Sequence, residues 1–101
     1  KKLNNKKILN KMMKVSFEGH SDSEEYIDKI RIKVEGLFQT RYPDLEAKIV
    51  RKEKEKFRVT FIGDWMSPED IDEKLIRDIC QSNKLTCHIF MDCKMNKSYY
   101  A

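Results

Sequence analysis

The sequence predicts an α+β fold of element order β-α-β-β-α-β, a four-stranded antiparallel sheet with two helices packed on one face. Three observations point to it. Short stretches alternate apolar and polar residues with period two, two longer stretches repeat apolar residues with helical spacing, and each of the longer stretches opens on a serine with an acid three residues later. The 101 residues are 40% hydrophobic and 38% charged, which suits one domain with a narrow core.

The first strand is read in Lys14–Glu18, where Val15 and Phe17 face one way and Lys14, Ser16 and Glu18 the other; Gly19 and His20 break it. Ser21-Asp22-Ser23-Glu24 has the S-x-x-E spacing of a capping box, and acids load the first turn. The helix it opens runs to about Thr40, with Ile27, Ile30, Val34, Leu37 and Phe38 as its apolar stripe, and stops before Pro43. Residues 47–52 and 57–62 read as two strands of a hairpin closed by the charged stretch 53–56. Ser67 caps a second helix with Pro68 at its first position and Asp70 as the capping-box acid, and Met66 and Ile71 are spaced for a hydrophobic staple. Ile71, Leu75, Ile76 and Ile79 form its buried stripe. Residues 85–93 make the last strand, so the domain spans 14–93, followed by a short C-terminal tail over 94–101.

This is the split-βαβ, ferredoxin-like order. Right-handed crossovers make the first and third strands central and parallel neighbours.

Charge is unevenly placed. Residues 1–14 carry six lysines and no acid, so residues 1–13 are expected to form a flexible basic arm, and Ile8/Leu9 with Met12/Met13 are spaced for one amphipathic turn or two. The other 87 residues hold 15 basic and 17 acidic side chains, a net of −2, against +4 for the whole chain. The excess positive charge thus belongs to the arm. Three cysteines without framework spacing, Cys80, Cys87 and Cys93, read as reduced thiols and hence a cytoplasmic setting. No apolar run approaches the ~20 residues of a membrane span, and no signal-peptide core is visible, so no integral membrane role is expected.

With both helices on one side, the other sheet face stays open. Alternation assigns Val15, Phe17, Ile49, Phe57, Val59, Phe61, Leu85, Cys87, Ile89 and Met91 to the helix side. The opposite set is Lys14, Ser16, Lys48, Val50, Lys52, Lys56, Arg58, Thr60, Thr86, His88 and Phe90, and six of these eleven are Lys, Arg or His. Such a face is either a solvated surface with guarded edges or a platform for phosphates or an acidic partner. The strand order resembles that of RNA-recognition modules, in topology and not in motif. Those modules carry stacking aromatics on the first and third strands. Here Ser16, Lys56 and Arg58 hold the comparable positions, and Phe90 is the sole outward aromatic of the strands. Phosphate contacts would therefore dominate and base stacking would be minor.

Catalytic chemistry is not expected. Adjacent Cys87 and His88 on a strand point to opposite faces and cannot pair as nucleophile and base. No C-x-x-C, H-E-x-x-H or glycine-rich phosphate loop is present, so no metal or cofactor is expected. The acids Glu69, Asp70, Asp72 and Glu73 suit a helix N-terminus. An acylphosphatase-like activity would need an anion-cradling loop after the first strand, which Gly19-His20-Ser21 suits poorly.

The expectation is a non-catalytic module contacting nucleic acid or another anionic partner through Lys6, Lys7, Lys11, Lys14, Lys48, Lys52, Lys56, Arg58, His88 and Phe90. The alternative is a protein-interaction or regulatory domain of a larger assembly, with Trp65, Tyr99 and Tyr100 at its surface; Trp65, in the loop before the second helix, either folds back over the helix end or serves as the partner contact. Acting on a membrane surface through the basic arm is a third option.

Overall fold

The computed structural model describes residues 12–101. The lysines of the expected arm at Lys6, Lys7 and Lys11 lie outside the described residues. Met13, assigned above to that arm, instead opens the first strand and is fully buried.

The described residues form five strands and two helices. They are β1 (Met13–His20), α1 (Glu24–Arg41), β2 (Ala47–Glu53), β3 (Lys56–Gly63), α2 (Glu73–Asn83), β4 (Thr86–Met91) and β5 (Lys94–Tyr99). The sheet order is β2-β3-β1-β4-β5, and every neighbouring pair is antiparallel. β1 and β3 are central neighbours, but the expected parallel pairing is corrected. The crossover through α1 delivers the chain to β2, which runs parallel to β1 but two places away, and the tight hairpin then reverses β3 between them.

The expected four strands become five because residues 94–99 are not tail. Asp92 and Cys93 both sit in the left-handed region, at φ 54° and 65°, and form a two-residue turn from Met91 to Lys94. Positive φ at both central positions matches the twist of a hairpin. Tyr99 turns inward opposite Cys87, is 6% exposed, and lies under the Arg77 guanidinium at 5.1 Å.

Helix α1 forms where its apolar stripe and acidic first turn predict. Its cap is Ser23, whose side chain accepts from the Tyr26 amide, with Ser21 Oγ accepting from Ser23 N. Ile27, Ile30, Val34 and Phe38 are buried, whereas Leu37 stays 43% exposed. The second helix starts later than expected. The Ser67–Asp70 capping box is present, but it caps a single 3-10 turn, Pro68–Asp70. Ile71 then extends into the core, and α2 begins at Glu73 with its own cap, Asp72, which accepts from Leu75 N. The Asp72 amide donates to the Tyr42 hydroxyl at 2.7 Å, which satisfies a backbone group at the break. Met66 is largely exposed and makes no staple.

The core lies between the two helices and one sheet face. Phe38 of α1 stacks on Phe61 of β3 at 4.4 Å, and Phe17 of β1 meets both rings edge-on. Ile76 and Ile79 of α2 complete it with Leu85, Cys87 and Ile89.

Candidate functional site

Because both helices pack on one side, strand parity decides what the other side presents. From β1 and β3 it presents Lys14, Ser16 and Glu18 beside Lys56, Arg58 and Thr60, with the cross-strand pairs Ser16–Thr60 and Glu18–Arg58. From β4 it presents His88 and Phe90, paired with Ser16 and Lys14. These placements match the sequence reading.

Strand β2 does not match, and its two lysines are corrected. The hairpin closes at Lys54–Glu55, with Glu55 at φ 68°, so Lys52 faces Phe57, Val50 faces Val59 and Lys48 faces Phe61. Cross-strand partners share a face, so Lys48 and Lys52 point to the helix side. There Lys48 Nζ donates to Glu35 at 3.0 Å and Lys52 Nζ to Asp28 at 2.7 Å. Arg31 joins the same row, donating to Glu35 at 2.8 Å. Burial alone would push the Glu35 carboxyl up, but the hydrogen bonds from Arg31 and Lys48 outweigh it and hold it below the ordinary glutamate value. The Lys52 hydrogen bond lowers Asp28 in the same way. These lysines tie an edge strand to α1.

In their place Ile49 and Arg51 reach the uncovered face, Arg51 directly opposite Arg58. Arg51 is the functional candidate that alternation missed. The signal was in the sequence, because any symmetric closure of residues 53–56 sets Lys52 opposite Phe57.

A groove of about 270 Å³ crosses this face, lined by Lys14, Ile49, Arg51, Arg58, Thr60 and Phe90 among others. A depression of about 240 Å³ shares Arg51 and Arg58 with it and continues to Lys56 and Glu53 at the hairpin end. On the groove floor, Ser16 Oγ and Thr60 Oγ1 are hydrogen-bonded at 2.8 Å. Glu18 tempers the positive charge, lying 3.3 Å from Arg58, 3.5 Å from Lys56 and 3.8 Å from His20. On the β4 side, His88 lies 6.4 Å from the Phe90 ring and 6.1 Å from that of Tyr100, which is 66% exposed. His88 Nδ1 shares a 2.8 Å hydrogen bond with Ser98 Oγ. Tyr100 is a second aromatic for this face that the sequence reading placed in the tail.

Trp65 folds back over the end of α1, the first of the two roles expected of it. Its ring is half-buried, edge-on to Tyr42 at 5.3 Å and to Phe38 at 6.1 Å. A Cβ at Gly63 would come within 2.5 Å of that ring, so only glycine fits below it. Cys87 is buried toward the helices, where burial pushes its thiol well up, while neighbouring His88 is on the opposite face. Among the described residues no group of three or more His, Cys, Asp or Glu side chains is placed to hold a metal. Nor is any described helix long and apolar enough to cross a membrane. The uncovered face therefore offers fixed cations, hydroxyls and aromatic rings. Comparison with protein-family models, curated proteins and solved structures finds no match for this chain.

Proposed function

We propose that this chain is a small non-catalytic binding module whose uncovered sheet face, continued by the lysine-rich N-terminal segment, holds an anionic partner, namely nucleic acid. The observation that carries this reading is the cross-strand pair Arg51–Arg58, flanked by Lys14 and Lys56 in a groove that neither described helix covers. Like charges directly opposite on a ladder are destabilising, an arrangement better suited to binding phosphate than to stabilising the fold. The β2β3 hairpin sets them at one side of the five-stranded sheet, and Lys14 of β1 lines the same groove.

The test is a salt titration of the full chain against a labelled oligonucleotide. Four phosphate contacts on a single strand correspond to roughly a 50-fold loss of affinity between 50 and 200 mM salt. Affinity indifferent to salt, or no binding, would overturn the reading. For the protein-interaction alternative, Tyr99 is buried, Trp65 is half-buried against Tyr42, and Tyr100 is exposed.

A further inference from the structure

On the uncovered face the arginines and the aromatic rings lie toward opposite sides, with Lys14 of β1 paired to Phe90. Arg51, Lys56 and Arg58 lie on β2 and β3, at one side of the sheet. Phe90, His88 and Tyr100 lie on and beside β4, at the other. One groove joins the two halves, since Arg51, Arg58 and Phe90 all line it. Strand spacing puts β2 and β4 about 14 Å apart, with the Ser16 and Thr60 hydroxyls between. A ligand fitting this layout carries phosphate along one flank and flat rings along the other.

We propose that the ligand is a single-stranded nucleic acid lying across the sheet, its phosphates on the Arg51–Arg58 side and its bases against Phe90 and Tyr100. This rests on the binding function proposed above and adds the strandedness and the orientation. A duplex buries the faces of its bases in its own stack, so Phe90 and Tyr100 would find nothing to stack on, and only the cations would be used. A single strand uses both halves, because every base has a face to offer. Tyr100 is what separates this from a purely phosphate-driven surface, because a 66% exposed ring beside His88 is placed to receive a base.

Anisotropy of the full chain would be measured with three probes of equal length: a mixed-sequence single strand, the same strand annealed to its complement, and an abasic strand with the same phosphates. The intact strand should bind about tenfold or more tightly than the abasic strand or the duplex, with a salt slope matching that of the abasic strand. Tyr100→Ala, at an exposed position, and Phe90→Ala should each weaken the intact strand about tenfold and leave the abasic strand unchanged. Exposed Cys93 lines the groove whereas Cys80 and Cys87 are buried, so the intact strand should slow alkylation of Cys93. Equal binding of intact and abasic strands, or tighter binding of the duplex, would overturn the single-strand proposal and leave the nucleic-acid reading standing. Binding without protection of Cys93 would overturn the placement on this face. Failure of all three probes to bind would overturn both.

Discussion

Lys48 and Arg51 sit three residues apart on β2, on opposite faces, and their surroundings could hardly differ more. Lys48 lies over α1 with Glu35 at 3.0 Å, part of a row of ion pairs that includes Arg31, Asp28 and Lys52. Arg51 lies over no helix and faces another arginine. One strand thus carries cations paired to the helix side and a cation on the uncovered face, and composition cannot tell them apart. What tells them apart is which face the hairpin register gives to each.

That contrast between the helix-side and uncovered faces can be broken at several points. The largest effect belongs to the helix side. Phe38→Ala removes a fully buried ring stacked on Phe61 and should cost about 3–5 kcal/mol in urea unfolding, whereas Phe90→Ala on the other face should cost about 1 kcal/mol or less. Equal losses would mean the uncovered face is part of the core.

Next is a paired exchange. Arg51→Gln with Arg58→Gln should reduce the steepness of log affinity against log salt by about 1.4 for a single strand. Lys48→Gln with Lys52→Gln should leave that slope unchanged and lower stability by about 1 kcal/mol. If the lysine pair changed the slope as much as the arginine pair, the assignment of faces would be wrong.

The third effect is pH-dependent. The Glu35 carboxyl is held below its ordinary value in the folded protein, so its stabilisation is present above the unfolded value of about 4.3 and is lost as pH falls through and below it. The wild type should therefore lose more stability than Glu35→Gln between pH 6 and 3, by about 1 kcal/mol in parallel urea melts. Parallel curves would remove Glu35 from the account of the helix side.

The smallest effect tests charge balance on the uncovered face. Glu18 stands against Arg58 and Lys56, so Glu18→Gln should tighten oligonucleotide binding by about two- to fivefold in the same anisotropy assay. Weaker binding would mean that Glu18 organises the arginine for its ligand rather than competing with that ligand.

Much of the fold was legible because its signals are local. Ile27, Ile30, Val34 and Phe38 repeat within one helix, and Val15 and Phe17 alternate within one strand. Those patterns fix element type wherever one face is strongly apolar. β2 has no such bias, because Lys48, Val50 and Lys52 on one parity are hardly more polar than Ile49 and Arg51 on the other. Pairing with β3 therefore decided its faces, and the site gained Arg51 while losing two lysines. β5 was hidden for a related reason. Its Lys94–Tyr99 segment is polar, and its turn uses Asp92-Cys93 rather than a glycine-containing pair.

By itself the sequence determined two helices, the first four strands and their order along the chain, because caps and short-range periodicity are written in neighbouring residues. It also determined that Lys14, Lys56, Arg58 and Phe90 share a face, since the alternation of β1, β3 and β4 is anchored by rings and branched residues that must be buried. Tertiary structure alone decided that a fifth strand completes the sheet, and of the two readings of Trp65 it selected packing against the end of α1. It also brought Tyr100 onto the basic face. Each of those outcomes depends on pairing between distant segments, where one residue of register exchanges the two faces of a strand.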